Sequence, residues 1–426
     1  MRFIQKRPIL AAVQLAACVG GLAACVGGNN ASTPTSATPP PPTPNTMTVT
    51  VDSGPAAAPN QINHAYVTVK VCVPGSTTQC ANIDHVLLDT GSWGLRLVRS
   101  VLAAGAVSLS AESDTQGQAI EECLKFAGGD TWGPVATADV TLAGEVAAKL
   151  PVQIMDDTKA GAPPPSTCGG NGLLLNDVSG FGANGVLGIG VFAQDCGPNC
   201  VNASTPLPMY YGCTSAGVCT AENVALAAQV TNPVAMFAAD NNGIIVNMPN
   251  LINANGDASV QGELTFGLGT QTDNALPATG LNVLGADAAT GDFTATYNGG
   301  TTALPALFDS GTNSYRFNDP TIAGCISPPS RAMYVGYYCP AVAPKNASTV
   351  NTGAMGARVP SISNTVNFAI ADPNTFVANA AAFIDLAGGG GATNFVYGMP
   401  FFYGRKVYIG IDQRAAGAYT GPYYAY

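Results

Sequence analysis

The chain has 426 residues, of which 47% are hydrophobic and only 10% are charged, and its formal net charge is −10. That length accommodates two domains of ordinary size, and the 50 glycines and 31 prolines favour a turn-rich β protein over a helical one. The chain is acidic, and after the N-terminal residues its Lys and Arg residues form no cluster in the sequence. We therefore expect neither nucleic acid nor anionic lipid head groups as partners.

Residues 1–25 are typical of a lipoprotein signal peptide. Basic residues near the N-terminus precede an apolar run that ends in small residues and a cysteine. The pattern Leu-Ala-Ala-Cys ends at both Cys18 and Cys25, and we favour Cys25 as the lipidated residue because it gives the longer apolar segment. The alternative is a plain secretory signal whose cysteines have no role.

Residues 26–46 have the Pro-, Ser- and Thr-rich composition of a solvated tether. No later segment is apolar over a length that would span a bilayer. We therefore expect an exported protein of the cell envelope, in the periplasm or at the outer membrane, that is held to the membrane by its lipid anchor only.

Short runs that alternate polar and apolar residues follow the tether and predict antiparallel strands. They are TMTVTVD (46–52), HAYVTVKVCV (64–73), IDHVLLD (83–89), VATADVTLAG (135–144) and KLPVQIM (149–155). Two segments, 221–230 and 375–387, predict helices. Strand-like sequence resumes at residue 243, so we predict an all-β protein with an N-terminal lobe at 47–235 and a C-terminal lobe at 236–426.

Ten cysteines remain once Cys18 and Cys25 are set aside, and they predict disulfides formed in an oxidising compartment. Close spacing in sequence favours three pairs: Cys72 with Cys80, Cys213 with Cys219, and Cys325 with Cys339. Connectivity within residues 196–219 stays open. Zinc is the alternative there, but the other cysteines favour disulfides, and we expect no metal.

An internal repeat connects the two halves. In each half an apolar strand ends in Asp-(Thr/Ser)-Gly-(Ser/Thr), at Asp89 and at Asp309, and an apolar pair followed by glycine comes later, at Gly188 and at Gly398. The same order at nearly the same separation predicts two lobes of one topology.

Two carboxylates placed side by side cannot both ionise easily, so they share one proton. Such a pair can deprotonate a water molecule while it protonates the carbonyl that the water attacks. The neighbouring residues suit this chemistry: two glycines for sharp turns, two hydroxyls between the turns, and two hydroxyls that orient the outer carboxylate oxygens. They are Gly91 and Gly311, Thr90 and Ser310, and Ser92 and Thr312.

These motifs resemble those of the pepsin-like, bilobal aspartic peptidases, and in particular a bacterial lipoprotein branch, over residues 47–426. The resemblance rests on DTGS, DSGT, GVLGIG, GELTFGLG and VYGMPFFYGRKVYIGID. It implies two pseudo-twofold-related β lobes with a cleft between them, and Asp89 and Asp309 as the catalytic pair. It also implies an extended peptide or protein substrate, no cofactor and a monomeric chain.

The sequence departs from that family at three places. Phe126 stands where the flap that covers the substrate normally has a tyrosine, in a predicted hairpin from Phe126 to Gly133; the indole of Trp93 or Trp132 is a candidate replacement for the lost hydroxyl. Asn184 stands where many relatives have aspartate. A long insertion lies around residues 190–230.

We predict an exported, lipid-anchored aspartic endopeptidase, and the alternative is a catalytically inactive relative that binds peptide or protein. A Ser-His-Asp hydrolase is disfavoured because the chain has only His64 and His85 and no G-x-S-x-G motif. A glycosidase also uses two carboxylates, but it does not predict the matched turns.

Overall fold

The structure, a computed structural model, describes residues 44–169, 173–253, 255–326, 334–360, 362–390 and 393–426. The predicted signal peptide, Cys25 and nearly all of the tether lie outside these residues. Within the described part of the chain, no helix has the length and apolar character needed to cross a membrane.

Strands dominate the described chain. Those of its first half are β1 (Thr46–Val51), β2 (Ala65–Cys72), β3 (Cys80–Asp89), β4 (Trp93–Val98), β5 (Ala119–Phe126), β6 (Gly129–Leu142), β7 (Glu145–Met155), β8 (Gly185–Ile189), β9 (Tyr210–Cys213) and β10 (Cys219–Ala221). Those of the second half are β11 (Gly243–Met248), β12 (Val260–Phe266), β13 (Val283–Gly285), β14 (Phe293–Tyr297), β15 (Ala303–Phe308), β16 (Tyr315–Phe317), β17 (Lys345–Thr352), β18 (Asn364–Ile370), β19 (Ala387–Gly389), β20 (Phe395–Tyr397), β21 (Arg405–Gly410), β22 (Ala415–Ala416), β23 (Tyr419–Thr420) and β24 (Tyr423–Ala425).

Helical structure is short. The α-helices are α1 (Arg99–Ala104) and α2 (Val178–Phe181). Single 3-10 turns occur at Gly197–Cys200, Leu226–Ala228, Pro233–Met236, Pro373–Thr375 and Met399–Phe401.

The alternating pattern produces strands because one face of each can then be buried. In β2, Val67, Val69 and Val71 lie in the core while Thr68 and Lys70 are exposed. β-Branched side chains pack well on a pleated, half-buried surface, so this spacing forms a strand rather than a helix.

Both helix predictions are wrong. Residues 221–230 contain one 3-10 turn, because the buried side-chain amide of Gln229 donates to the backbone carbonyls of Gly197 and Val224, each at 3.0 Å. In 375–387 the rings of Phe376 and Phe383 stack with centroids 4.0 Å apart. These tertiary contacts override the helix propensity of the alanines.

One sheet of fifteen strands runs through both halves, in the order β10-β9-β5-β6-β7-β4-β8-β3-β2-β1-β12-β11-β21-β24-β13. Its last six strands, β1 to β13, pair antiparallel and join the halves. A second sheet of seven strands, β18-β17-β14-β15-β20-β16-β19, belongs to the C-terminal half.

The internal repeat is visible in the strand pairing. The strand that ends at the first aspartate, β3, pairs in parallel with β8, and its counterpart β15 pairs in parallel with β20. The strand that follows each aspartate turn pairs antiparallel with that same partner: β4 pairs with β8, and β16 pairs with β20. The predicted all-β fold of two related lobes is confirmed, and the lobe boundary at residues 235 and 236 stays a prediction.

Five disulfides hold the described chain. They join Cys72 to Cys80, Cys123 to Cys168, Cys196 to Cys200, Cys213 to Cys219, and Cys325 to Cys339. The three predicted pairs are confirmed, and the pairing left open within 196–219 is local. With these cysteines in disulfides, zinc ligation by residues 196–219 is set aside. The disulfides indicate an oxidising environment.

Candidate active site

Each aspartate is held within its own turn at the end of a strand. The backbone N–H of Gly91 donates to Oδ1 of Asp89 at 2.8 Å, and the N–H of Gly311 donates to Oδ1 of Asp309 at 2.9 Å. The hydroxyl of Ser92 donates to Oδ2 of Asp89 at 2.5 Å. The equivalent bond from Thr312 to Oδ2 of Asp309 is 2.6 Å.

The two turns face each other at a distance that only glycine permits. A Cβ atom added to Gly91 would lie 2.5 Å from Cγ of Asp309, and one added to Gly311 would lie 2.7 Å from Cγ of Asp89. Both distances are below any real Cβ contact. Each glycine is therefore the surface against which the opposite carboxylate rests, and the two carboxylates are neighbours.

Hydroxyls cross between the turns beneath the carboxylates. Thr90 Oγ1 donates to the carbonyl of Phe308 at 2.8 Å, and Ser310 Oγ donates to the carbonyl of Leu88 at 2.7 Å. Each hydroxyl also accepts the backbone N–H of the other residue, at 3.0 and 3.2 Å. These four bonds fix one turn to the other in the way that the sequence predicts for Thr90 and Ser310.

The first aspartate is difficult to ionise. Asp89 is only 6% exposed. Burial raises its pKa well above the ordinary value, and the negative charge of Asp309 raises it further, while the hydroxyl of Ser92 and the N–H of Gly91 oppose the shift. A pair in this setting holds one proton between its two carboxyl groups.

A cavity of about 390 Å³ opens over the pair. Asp89, Asp309, Ser92, Gly311 and Thr312 form its floor, and the tip of the β5–β6 hairpin forms its cover. This volume is within the range of pockets that hold small ligands, so it can accommodate the side chains around one peptide bond.

The cover is the predicted flap. β5 and β6 pair antiparallel up to Phe126 and Gly129, and Phe126 lies in the cavity wall. Its ring packs edge-on against Phe181, with centroids 5.6 Å apart. Gly133 is not a cleft residue: a Cβ there would lie 1.9 Å from the carbonyl oxygen of Ile154, so this glycine allows β6 to approach the following chain.

Of the two candidate indoles, Trp93 is the one at the site. Trp93 lines the cavity, and its buried Nε1 has no hydrogen-bond partner among the described residues. Trp132 is excluded because its Nε1 donates to the carbonyl of Ala162 at 2.7 Å. The Nε1 of Trp93 is directed towards the backbone of Gly190, where an added Cβ would lie 2.7 Å away.

The structure also brings to the cavity residues that sequence reasoning missed, among them His64, Lys125, Phe181 and Asp195. His64 has a buried Nδ1 without a partner in the described chain, and burial lowers its pKa to about 4. The one sequence feature that could have placed His64 at the cavity is its position directly before β2, the strand that pairs with β3. His85 lies elsewhere, beside Asp84 and Asp52.

A buried ionic cluster supports the flap strand and the cavity wall. The fully buried Arg96 on β4 donates to Glu122 of β5 at 2.6 Å and to Asp195 at 2.7 Å. Tyr210 of β9 donates to the other oxygen of Asp195 at 2.6 Å. Burial, followed by the charge of Glu122, raises the pKa of Asp195 well above its usual range.

The insertion around residues 190–230 extends the flap sheet. It supplies β9 and β10, and β9 pairs with β5 over Ala119–Glu122. The disulfide from Cys123 to Cys168 fixes β5 just beyond that pairing. Asn184 has a structural role, since its side-chain amide donates to the carbonyl of Asp84 at 2.9 Å and so connects the start of β8 to β3.

The comparisons with known proteins leave the chemistry open. A family model described as "Protein of unknown function (DUF3443)" matches residues 41–426. The chain belongs to this family. The search of curated proteins finds no match. Among solved structures, the DUF3443 chain is similar to the crystal structure of aspartic proteinase from Irpex lacteus, at 13% sequence identity and a TM-score of 0.43, covering 89% of this chain and 96% of that chain. A similarity this weak carries no argument about activity.

Proposed function

We propose that this DUF3443 protein is an aspartic endopeptidase that is exported and anchored by a lipid on Cys25. The observation that carries the proposal is the reciprocal approach of Gly91 to Asp309 and of Gly311 to Asp89, at 2.5 and 2.7 Å from the position of an added Cβ. A structural turn has no need of a second carboxylate opposite it, and burying that pair is costly.

In the proposed reaction the carboxyl pair starts with one proton. The ionised carboxylate takes a proton from a bound water molecule, whose oxygen attacks the carbonyl carbon of the peptide bond. The protonated carboxyl group gives its proton to the carbonyl oxygen, and a tetrahedral diol forms. Proton transfer to the amide nitrogen then breaks the C–N bond and releases an acid and an amine.

Neighbouring groups support each step. Ser92 and Thr312 hold the outer oxygens of Asp89 and Asp309 at 2.5 and 2.6 Å, so both carboxyl groups keep one orientation throughout the cycle. Phe126 on the flap lines the cavity, where its ring can pack against the substrate.

The test is cleavage of a mixed peptide library between about pH 3 and 7, compared among the wild type, Asp89→Asn and Asp309→Asn. We expect peptide cleavage that pepstatin blocks and that either substitution reduces by at least about a thousandfold, because each removes one half of the acid–base pair. Asp287→Asn, at an exposed turn away from the cavity, is the control and should cleave normally.

A folded, disulfide-bonded wild type that cleaves nothing would reject the peptidase proposal. Retained binding of pepstatin in that case would support the alternative, a pepsin-like protein that binds peptides without cutting them. The lipid anchor is tested separately, since Cys25→Ser should abolish the mass added by lipidation and release the protein from membranes.

A further inference from the structure

Glu121 and its neighbour Glu122 project from opposite faces of β5, because successive side chains of a strand alternate. Glu122 forms an ion pair with Arg96, which it shares with Asp195. Glu121 faces the other way and is only 3% exposed, yet its Oε2 is buried without a hydrogen-bond partner among the described residues. A buried carboxylate oxygen without a hydrogen-bond partner destabilises the folded chain unless a ligand donates a hydrogen bond to it.

Glu121 lies in the wall of a second cavity, of about 570 Å³, which we call the Glu121 cavity. Most of the other lining residues are apolar, and they come mainly from α1, the chain that follows it, β6 and β7. They include Leu102, Val107, Leu109, Ala136 and Ile154. A mostly apolar concave space with a few convergent polar groups is the usual form of a small-ligand pocket.

The charges around this cavity leave Glu121 uncompensated. Arg99 is the cation at the rim, but its Nε donates to Asp156 at 2.8 Å. Asp156 also accepts hydrogen bonds from the hydroxyl of Thr158 at 2.8 Å and from the N–H of Gly161 at 2.7 Å, so both of its carboxylate oxygens have partners. When both carboxyl groups are ionised, two negative charges therefore face one guanidinium, since Arg99 is the one cation among the described residues that line the cavity.

We propose that the Glu121 cavity binds a primary ammonium group on a short aliphatic chain. The ammonium donates to the carboxylate of Glu121, and the aliphatic chain packs on the apolar side chains of the wall. Such a group comes either from a free small amine or from a lysine side chain. The Glu121 cavity is separate from the carboxyl pair, so amine binding there can be tested independently of the proposed peptidase activity.

The first experiment is calorimetric titration of the full chain with n-butylammonium, using 1-butanol and butanoate as matched probes. Burial, reinforced by Asp156 and opposed by Arg99, raises the pKa of Glu121 to about 8. Titrations are therefore made at about pH 9, where the carboxylate is ionised and the ammonium is still charged. We expect butylammonium to bind at least about tenfold more tightly than either matched probe.

Two variants and one control locate the binding. Glu121→Gln should weaken butylammonium binding by at least about tenfold. Ala103→Leu, an exposed α1 position in the cavity wall, should weaken it by filling the space without touching Glu121. Glu145→Gln is the control, because Glu145 is also a buried carboxylate with an unpartnered oxygen but lies outside the cavity.

Equal affinity for butylammonium and butanol, or unchanged affinity in both Glu121→Gln and Ala103→Leu, would overturn the proposal. Blocked lysine (Nα-acetyl-lysine N-methylamide) and its norleucine analogue separate the two sources of the ligand. Binding of blocked lysine assigns the site to protein side chains, and binding of butylammonium alone assigns it to free amines. Asp89→Asn should bind like the wild type.

Discussion

At the scale of single residues, the carboxyl pair is a feature that stability alone does not favour. Asp89 is buried, and Asp309 opposes its ionisation. Gly91 and Gly311 have no side chain, which leaves room for the two carboxyl groups to lie next to each other. The four crossing bonds of Thr90 and Ser310 hold this arrangement in place.

We predict that Asp89→Asn stabilises the folded chain near neutral pH. The raised pKa of Asp89 means that the folded chain keeps a proton which the unfolded chain has already released. Wild-type stability therefore falls as pH rises from the unfolded pKa of Asp, about 4, towards the folded one. Asparagine does not titrate, so the variant should gain about 1–3 kcal/mol at pH 7 and little at pH 3.5.

Urea unfolding at the two pH values measures this difference. Asp287→Asn is a control of opposite sign, because the N–H groups of Ala289 and Thr290 lower the pKa of Asp287. The Asp287→Asn variant should therefore be less stable than the wild type at neutral pH. An Asp89→Asn variant that is less stable than the wild type at pH 7 would contradict the electrostatic description of the pair.

The sequence predicts the residues of the pair because each motif is local and the repeat places the two in register. It does not predict His64 or Asp195, which reach the cavity only through strand pairing and a loop. It also gives no sign of the ion cluster, since Arg96, Glu122 and Asp195 are far apart in the chain and any acidic residue could have paired with Arg96.

At the scale of elements, the flap is joined to its surroundings along its first strand. β9 pairs with the base of β5, and the disulfide from Cys123 to Cys168 follows at once. Beyond Cys123, the ring of Phe126 packs against Phe181. Backbone hydrogen bonds join Asp130 at the start of β6 to Leu173 and Leu175. The sequence predicts the hairpin and the length of the insertion, but not that the insertion pairs with the hairpin.

Removing the disulfide between Cys123 and Cys168 by a double Cys→Ser substitution should destabilise the protein strongly. It closes a loop with a sequence separation of 45, compared with 6 for the pair Cys213 and Cys219. Chain entropy then predicts losses of about 4 and about 2 kcal/mol respectively. Equilibrium unfolding of the two double variants measures both, and an equal or reversed loss would show that loop entropy does not govern these crosslinks.

The two helix predictions failed at this scale for a common reason. Alanine-rich stretches have high helix propensity, but propensity is a weak preference that burial and side-chain contacts readily override. Here Gln229 and the stacked pair of Phe376 and Phe383 keep both segments in irregular conformations. A single sequence does not reveal such distant partners.

At the scale of the whole molecule, the two halves are connected through one sheet. β1 from the N-terminal half lies between β2 and β12, and it pairs with β12 along its full length. The repeat predicts the two lobes, but no pattern in the residues predicts that β1 of one half pairs with β12 of the other.

We predict that residues 47–235 do not fold alone. Without β12, the strand β1 exposes an unpaired edge, and the buried side chains Val49 and Val51 lose much of their packing. Circular dichroism and urea unfolding of the isolated fragment should show no cooperative transition. Mixing it with residues 236–426 should restore one, and a cooperative transition in the fragment alone would contradict this description.

The crossing bonds between the two aspartate turns have a consequence for the proposed activity. Thr90 and Ser310 come from opposite halves, so the carboxyl pair is assembled only when β3 and β15 have both folded and met. Under the proposed export and activity, a chain that is still unfolded or that has misfolded would lack the assembled pair and could not digest itself or its neighbours. Under the proposed activity, completion of the fold is itself the step that switches the enzyme on.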